Sequence, residues 1–515
     1  MNGADALLQT LVESGVEICF ANPGTSEMQL VSAIGHTDDI RPVLCLFEGV
    51  VSGAADGYAR MADKPAATLL HLGSGFSNSL ANMHNARRAG SPIVNIVGDH
   101  ASYHLQFDAP LTSNLPGIAR WGSHWTEIAD SPENLSAAGA RAVQASMKGN
   151  GQIATVIAPA DHAWSEASAA APALPRPEPL LVGEQRIARG AAGIRGDGNI
   201  CLFLGGHALR EDNLRTLGAI AEAHKITLMC STFPTRLQRG AGRVAVQRLP
   251  YFAEQATEAL AVFDRVILLG APAPVSFFAY PEKESWLIPE DAELITLAES
   301  SEDADSTVAA LARALQVESS PTVLTQRIEH PIDDEALNPV TIGQIIGNHL
   351  PENAIVSDEG ATCGFGAYLF TENAAAHDWL ALTGGAIGQG LPVALGAALA
   401  CPDRKVVALQ ADGSAMYTIQ ALWSMARENA DVTVVLLNNS SYAILKLELA
   451  RVGAGDPTEK TLSMLDLSNP DMSYVSIAQG LGVPATRATT SAEFAAQFTE
   501  AMGKPGPCLI EAIVA

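Results

Sequence analysis

Short runs of apolar residues alternate with helix-length amphipathic segments along almost the whole chain. In the first third the runs are EICFA, RPVLCLF, ATLLHL, PIVNIVG and ATVIAP. Apolar runs of this length, separated by helical segments, are typical of parallel strands that are covered on both faces. The pattern therefore predicts an α/β fold for this part of the chain.

The same alternation returns twice further along. A Pro- and Ala-rich segment, residues 165–181, is interpreted as a linker, and the runs NICLFLG, KITLMC and RVILLGA follow it. A polar connector, residues 316–339, precedes AIVSDEG, KVVALQADG, VTVVLLNN and CLIEAIV. We expect three doubly wound parallel-sheet domains, at residues 1–170, 186–318 and 338–515.

Composition narrows the classes of function. The chain carries 56 acidic and 31 basic residues, and its formal net charge of −25 would repel phosphate backbones and anionic lipids. We therefore expect neither nucleic-acid nor membrane binding. The seven cysteines form no CxxC pair, and the N-terminus lacks the basic start and apolar run of a signal peptide. A cytoplasmic protein with reduced thiols is the resulting prediction.

Two polar side chains follow neighbouring predicted strands. Asp412 comes after KVVALQA, and Asn439 comes after VTVVLLN, 439 − 412 = 27 residues later. At the carboxyl edge of a parallel sheet they would meet where doubly wound folds bind ligands, and their oxygens suit Mg²⁺. Gly413 permits a tight turn, and Ser414 is expected to cap a helix whose N-terminus could face a diphosphate. DGS alone could equally be an ordinary turn, but the combined spacing favours a binding site.

This segment resembles the cofactor signature of the thiamin diphosphate enzymes, which is usually GDG followed by two asparagines. The resemblance implies three Mg²⁺ ligands: Asp412, Asn439 and the backbone carbonyl of Ser441. It also implies that three further residues lie against the cofactor: Gly413, Ser414 and Tyr442. Ala411 replaces the first glycine of the signature, which is acceptable if its φ is negative.

A second group of residues lies in the first domain, where Glu48 precedes a helix of small residues. By residue type alone, Glu48 would be an ordinary acidic residue at a helix start. However, E-x(5)-AADGYAR resembles the pyrimidine-binding domain of 2-oxo acid decarboxylases and acetolactate synthases. The resemblance implies that Glu48 bonds to the aminopyrimidine and assists proton removal from the thiazolium ring. It also implies that Glu48 and Asp412 come from different subunits, which requires a homodimer or homotetramer.

Two more stretches resemble cofactor-binding loops. Residues 384–392 are similar to the loop beneath the thiazolium ring, which implies that the Gly385 carbonyl accepts from the amino group and that Ile387 supports the bent cofactor. A glycine-rich bend without this role is the alternative. In the segment DEGATC, we expect Thr362 to contact the diphosphate.

The details of the resemblance favour benzoylformate decarboxylase-like proteins. Thr25 falls where that group has a serine that contacts the substrate carboxylate, and His71 is the predicted general acid/base. The expected substrate pocket comprises Thr25, Ser26, His71, Leu111 and Ile444. We expect structural roles for the other histidines, which include His84, His100 and His104.

Several positions depart from that group. Phe278 stands where the second catalytic histidine is expected. Ile444 replaces an alanine of aryl-accepting enzymes, which favours a short aliphatic substrate. Pyruvate decarboxylases have a glutamate at Leu445, and Glu448 is interpreted as a solvent-facing residue one helical turn beyond Ile444.

The sequence therefore predicts a thiamin diphosphate- and Mg²⁺-dependent enzyme that decarboxylates a 2-oxo acid. Carboligation uses the same residues, so an acetolactate synthase-type enzyme stays open as a second hypothesis. A flavin-dependent 2-oxo acid oxidase is a third hypothesis, and a non-catalytic protein that binds the cofactor is a fourth.

Overall fold

Three β-sheets, built mainly from parallel strands and covered by helices, form the framework of the computed structural model. The structure describes residues 1–332 and 335–514. The predicted α/β class with three doubly wound sheets is confirmed. Within these described residues, no helix combines the length and the apolar character that are needed to cross a membrane.

The first sheet has the strand order β2-β1-β3-β4-β6-β5, and all of its strands are parallel. Its strands are β1 (Ile18–Asn22), β2 (Arg41–Leu44), β3 (Ala66–His71), β4 (Ile93–Asp99), β5 (Trp125–Ile128) and β6 (Ile153–Pro159). The helices are α1 (Gly3–Glu13), α2 (Met28–Gly35), α3 (Glu48–Ala62), α4 (Leu72–Ala89), α5 (Leu115–Gly122), α6 (Pro132–Ser146) and α7 (Ala160–Trp164). No helix or strand lies between Trp164 and Glu184, in agreement with the predicted linker.

The central region contributes six strands and four helices. The strands are β7 (Ile200–Leu204), β8 (Thr227–Cys230), β9 (Leu237–Arg239), β10 (Gln247–Arg248), β11 (Arg265–Leu269) and β12 (Glu293–Ala298). The helices are α8 (Glu184–Arg195), α9 (Glu211–His224), α10 (Ala253–Leu260) and α11 (Ala304–Leu315). Five of these strands form a parallel sheet in the order β10-β8-β7-β11-β12, whereas β9 leaves it and joins the third sheet.

The third sheet has the order β17-β18-β16-β15-β13-β14-β9, and only β9 is antiparallel to its neighbour. Its other strands are β13 (Ala354–Glu359), β14 (His377–Ala381), β15 (Val406–Ala411), β16 (Val432–Asn438), β17 (Ala485–Ala488) and β18 (Cys508–Ile513). The helices are α12 (Pro339–His349), α13 (Ala361–Phe370), α14 (Gly390–Ala400), α15 (Asp412–Thr418), α16 (Ala421–Glu428), α17 (Ala443–Arg451), α18 (Glu459–Ser463), α19 (Tyr474–Gly480) and α20 (Ser491–Met502). Residues 333–334 of the predicted connector lie outside the described residues, and its described part has no helix before Pro339.

Helices α3 and α14 join the first and third domains by a very close crossing. A Cβ placed on Gly396 would lie 1.9 Å from the carbonyl oxygen of Ala54, and one placed on Gly57 would lie 2.1 Å from that of Val393. Side chains larger than hydrogen cannot fit at these two positions without separating the helices. The glycines therefore fix the distance between the domains that carry the two predicted halves of the site.

Candidate active site

The third sheet brings Asp412 and Asn439 together, as predicted. β15 and β16 are neighbours in register, with Ala411 opposite Leu437, so both strands end at the same edge. The backbone N–H of Asn439 donates to Oδ2 of Asp412 at 3.2 Å, and that of Gly413 donates to Oδ1 at 2.7 Å. Ala411 has φ −73°, so the alanine in place of glycine causes no strain.

The Asp412 carboxylate is suited to a cation. Burial raises the pKa of Asp412, and the groups that oppose this effect are backbone N–H groups, first that of Gly413 and then those of the 439–441 turn. Its negative charge is thus solvated by dipoles within the chain. The amide oxygen of Asn439 and the Ser441 carbonyl belong to the same turn, and such a set of oxygen donors suits a hard divalent ion.

The helix cap predicted at Ser414 is wrong. α15 already begins at Asp412, because β15 runs directly into the helix through Ala411 in an extended conformation. Ser414 therefore lies inside the first turn, where its hydroxyl donates to the Ala411 carbonyl at 3.1 Å and accepts from Gln410 at 2.5 Å. The N-terminus of α15 still points to the sheet edge, next to the start of α13 with Thr362. Two adjacent helix N-termini can bind a diphosphate.

The glycine loop, residues 384–389, is held by buried polar groups. Gly385 has φ +75°, a conformation that favours glycine. Ile387, which belongs to the same loop, is half-buried. Glu359, which the sequence analysis did not single out, accepts from the N–H groups of Gly388 at 2.6 Å and Gly390 at 2.7 Å. Burial raises the pKa of Glu359. This carboxylate fixes the loop from the end of β13.

The segment after Asn439 lies against the start of α15. A Cβ on Gly413 would lie 2.4 Å from Cε1 of Tyr442, so the tyrosine ring packs directly on the glycine. Ile444 follows in the first turn of α17 and is half-buried. The structure thus groups Asp412, Asn439, Tyr442 and the glycine loop at one edge of the third sheet, and we call this group the C-terminal half-site.

The first domain positions Glu48 at the start of α3. Its side chain is 7% exposed, and Oε2 accepts from the Asn78 side-chain amide at 3.0 Å. Gly75 separates Glu48 from His71, because a Cβ there would lie 3.1 Å from Glu48 Oε1 and 3.3 Å from Cβ of His71. The Glu48 carboxylate and Cβ of His71 therefore lie on either side of one glycine.

His71 forms a hydrogen-bonded pair with Glu27, which the sequence analysis did not single out. Nδ1 of His71 lies 2.8 Å from Oε2 of Glu27 and 3.2 Å from the hydroxyl of Ser26. Glu27 is fully buried and also accepts from Ser26 and from the Gly24 N–H. The pairing occupies Nδ1 and leaves Nε2 as the nitrogen that can exchange a proton.

A pocket of about 330 Å³ opens beside this pair. Its walls include four of the predicted substrate-contact residues: Thr25, Ser26, His71 and Leu111. They also include His100 and His104, for which the sequence suggested structural roles, together with Tyr103. Every wall residue belongs to the first domain, so the fifth predicted residue, Ile444, is not part of this pocket within one chain. We call the pocket together with Glu48 and Glu27 the N-terminal half-site.

The AADGYAR motif links the two domains. Arg60 forms a buried ion pair with Asp56, and both side chains are fully inaccessible. The same guanidinium donates to the Ala381 carbonyl at 2.9 Å and to the Thr383 hydroxyl at 3.0 Å, just before the glycine loop. The motif therefore anchors the glycine loop to the helix that begins with Glu48.

Both halves match known protein families. The model "Thiamine pyrophosphate enzyme, N-terminal TPP binding domain" matches residues 1–124, and "Thiamine pyrophosphate enzyme, C-terminal TPP binding domain" matches residues 358–512. A Mycobacterium tuberculosis protein, provisionally named as the acetolactate synthase large subunit IlvX, is 49% identical over 519 residues, which cover 100% of this chain and 99% of that protein. This chain belongs to the thiamin diphosphate-dependent enzymes.

More distant relatives agree with this assignment. The benzoylformate decarboxylase of Pseudomonas aeruginosa is 27% identical over 98% of this chain and 97% of its own length. The solved structure of a 4-hydroxybenzoylformate decarboxylase from Rhodococcus jostii has the same fold, with a TM-score of 0.86 at 24% identity over 100% of this chain and 99% of its own. The predicted resemblance, and with it the prediction of a thiamin diphosphate-dependent enzyme, is confirmed.

In this member of the thiamin diphosphate enzymes, the central domain contributes an aromatic side chain to the glycine loop. A Cβ on Gly385 would lie 2.5 Å from Cζ of Phe277, whereas Phe278 is 54% exposed. Phe277 contacts the rings of Phe233 and Tyr251, with centroids 5.7 and 5.5 Å away. Phe277 is therefore the residue beside the loop, and it is apolar, while the expected correspondence of Phe278 with a second catalytic histidine stays a prediction.

A larger cleft of about 1060 Å³ lies where the three domains meet. It extends from the Gly205 and Gly270 turns at the ends of β7 and β11 to the start of the glycine loop. Three cations of the first domain line it: Arg87, Arg88 and Lys148. Its size and charge suit an extended anionic ligand.

Proposed function

We propose that this chain decarboxylates a short aliphatic 2-oxo acid with thiamin diphosphate held through Mg²⁺. The observation that carries the proposal is that the buried Glu48 and His71 lie on either side of Gly75, with His71 at the wall of a pocket. A carboxylate and an imidazole in these positions can hold and transfer protons beside a substrate pocket. In a family that binds thiamin diphosphate, this combination supports an active enzyme rather than a cofactor-binding scaffold.

The C-terminal half-site supplies the groups that would hold the cofactor. We infer that Asp412, Asn439 and the Ser441 carbonyl bind Mg²⁺, since their oxygens match its preferred ligands. The N–H groups at the starts of α13 and α15 would bind the diphosphate. The side chains of Phe277 and Ile387 would enclose the rings of the cofactor. When bound, thiamin diphosphate supplies the carbanion chemistry that releases CO₂ from a 2-oxo acid. Glu48 would hold a proton at the aminopyrimidine, and His71 would deliver one to the product.

The preference for a short substrate rests on side-chain volume. The pocket of about 330 Å³ is at the lower end of the range for small-molecule sites. In the proposed complete site, β-branched Ile444 and the ring of Phe277 would reduce this space further. A benzoyl group would need more room than a methyl or ethyl group.

The separation of the two half-sites supports the proposal of a second subunit. The rim of the N-terminal half-site exposes large apolar side chains, which include Tyr103, Phe107 and Leu111, and the C-terminal half-site exposes Tyr417 and Leu445. Exposed apolar surfaces next to functional residues are typical of interfaces. We propose that two copies pack so that Glu48 and His71 of one face Asp412 and Ile444 of the other, in a dimer or tetramer.

The product can be an aldehyde or a carboligation product. The relative with 49% identity is named as an acetolactate synthase subunit, which supports carboligation. Phe277 of the central domain and Leu445 of α17 are apolar, so neither supplies a proton donor beside the C-terminal half-site. Slow protonation would favour attack on a second 2-oxo acid over release of an aldehyde.

The test compares wild type with Glu48→Gln after reconstitution with thiamin diphosphate and Mg²⁺. Pyruvate, 2-oxobutyrate, a branched 2-oxo acid and benzoylformate are supplied, and CO₂, aldehyde and acyloin are quantified. We expect turnover of a short substrate and a loss of roughly 10²-fold or more in the variant, the scale of a positioned proton-transfer group. Glu13→Gln, on an exposed helix position, is the control and should retain wild-type activity. Wild type that binds cofactor but releases no CO₂ from any substrate would refute the proposal.

A flavin-dependent 2-oxo acid oxidase is the second candidate, and the cleft of about 1060 Å³ favours it. This cleft could hold a dinucleotide, whose phosphates would face Arg87, Arg88 and Lys148. Purified protein with the visible absorption of an oxidised flavin, and oxygen uptake with a 2-oxo acid, would support the oxidase. Colourless protein with full decarboxylase activity would rule it out.

A further inference from the structure

The segment between β16 and α19 begins and ends at the same place in the third domain, where its two ends are hydrogen-bonded to each other. The backbone N–H of Leu467 donates to the Ser440 carbonyl at 2.9 Å, and that of Tyr442 donates to the Leu465 carbonyl at 3.0 Å. Residues 440–467, which we call the excursion, therefore start and end at the proposed metal-binding turn. It contains α17 and α18, and its first helix begins one residue before Ile444.

Helix α17 has little packing of its own. None of its nine residues is fully buried, and Leu445 and Leu447 are exposed. Most helical stability in proteins comes from packing of an apolar face, which α17 largely lacks in the single chain. Its position must therefore depend on a few specific contacts.

The strongest of these contacts joins α17 to the central domain. Arg451, the last residue of the helix, donates to both carboxylate oxygens of Glu254, at 2.6 and 2.7 Å. Its guanidinium also lies 4.1 Å from the ring centre of Phe252. Glu254 is in the first turn of α10, where the helix dipole favours an acidic residue. A bidentate ion pair whose guanidinium also stacks on an aromatic ring fixes both the distance and the orientation of α17 relative to α10.

Glu448 is on the same side of α17. It lies one turn after Ile444 and is therefore on the same helix face. Only 15% of its side chain is exposed, and Oε2 lies 3.7 Å from Nε of Arg451. Burial, and next the Glu448 carboxylate beside it, raise the pKa of Tyr280 in the central domain to about 12. Glu448 is thus largely covered, contrary to the solvent-facing position expected for it.

We propose that Arg451 and Glu254 are positioning residues that hold α17, and with it Ile444 and the metal-binding turn, in place through the central domain. The consequence for substrate selection rests on the proposed function, whereas the positioning itself does not. Through the Arg451–Glu254 ion pair, the central domain would help to determine the size of the substrate pocket, although its residue beside the glycine loop, Phe277, cannot transfer a proton.

The first test measures amide hydrogen exchange of residues 443–451 in Arg451→Leu, without cofactor or substrate. We expect exchange to accelerate roughly three- to tenfold, the scale of one partly exposed but two-pronged ion pair. Glu254→Gln should have a similar effect, and the double variant should be no worse than either single variant, because both remove one contact. Arg186→Leu is the matched control, since Arg186 makes a comparable two-pronged pair with Glu302, at 2.8 and 2.6 Å, within the central domain.

The second test uses turnover. In Arg451→Leu, KM for pyruvate should rise several-fold more than kcat falls, and the ratio of 2-oxobutyrate to pyruvate turnover should change. Arg451→Lys, which retains one charged contact, should recover part of both effects. Unchanged exchange in α17 would overturn the inference even if the enzyme is an active decarboxylase. Faster exchange with no activity on any 2-oxo acid would instead leave the positioning role intact and count against the proposed function.

Discussion

The crossing of α3 and α14 gives a quantitative prediction, because Gly396 contacts the backbone of its partner helix. A Cβ at this position would lie 1.9 Å from the Ala54 carbonyl oxygen and 2.6 Å from the Tyr58 nitrogen. An ordinary close contact between carbon and a carbonyl oxygen is about 3.3 Å. The Gly396→Ala change therefore requires the helices to separate by roughly 1.4 Å, the difference between these two distances.

The cost of this separation can be estimated. Overpacking in a well-packed core costs about 1–3 kcal/mol, and the atoms that clash here are backbone, which cannot rotate away. Replacing glycine by alanine within a helix stabilises the folded protein by about 1 kcal/mol. Because backbone atoms clash, the upper end of the overpacking range applies, and we expect a net loss of roughly 2 kcal/mol (3 − 1 = 2) in unfolding free energy. Since α3 begins at Glu48 and α14 follows the glycine loop, cofactor affinity should fall as well.

Urea denaturation followed by circular dichroism, with cofactor binding followed by tryptophan fluorescence, measures both effects. Gly35→Ala is the control, because a Cβ there meets no atom within 4 Å. Gly57→Ala should cost about as much as Gly396→Ala, and the double variant should cost less than the sum, because both open one crossing. If Gly396→Ala has the same denaturation midpoint and cofactor affinity as the control, α3 and α14 do not approach each other as closely as described.

Two further predictions concern buried titratable groups. Glu27→Gln removes the charged partner of His71, so kcat for 2-oxo acid turnover should fall roughly 10²-fold in the protein that remains folded, and equal kcat would contradict the positioning of His71. Burial lowers the pKa of His377 to about 3 from 6.5, so the folded protein keeps it neutral while the unfolded chain binds a proton below 6.5. Stability should therefore fall as the pH drops from 6.5 towards 3, by up to about 1.4 kcal/mol per unit, and thermal unfolding of His377→Gln should lack this component.

The strands that the sequence predicts are those with continuous apolar runs, and all twelve are present among the described residues. Most of the strands that it misses are short or polar, although β12 (Glu293–Ala298) is a mainly apolar strand that it also misses. β14 is fully buried but contains His377 and Asp378, and Asp378 is paired with Arg236 and Arg404 from other elements. Such partners are distant in sequence, so local pattern cannot show that these polar residues are buried.

The same limit applies to the site. Asp412 and Asn439 could be placed together because a parallel sheet brings strand ends to one edge. Glu27 and Glu359 could not be found, because their roles depend on contacts with His71 and the glycine loop that folding creates. A glutamate inside a loop that resembles a substrate-binding loop is the one local signal for Glu27. Glu359 follows a buried strand, which is weaker evidence because many strands end in acidic residues.

The distribution of polar groups between the half-sites bears on the choice of product. Glu27, Glu48 and His71 all belong to the N-terminal half-site, whereas Phe277 and Ile444 present apolar surface from the other side. In the proposed dimer, a substrate would therefore meet proton-transfer groups on one face only. Because His71 would protonate the product, its loss in a carboligase should suppress aldehyde more strongly than acyloin. The ratio of these two products in His71→Ala then separates a decarboxylase, in which both fall together, from a carboligase, in which acyloin persists.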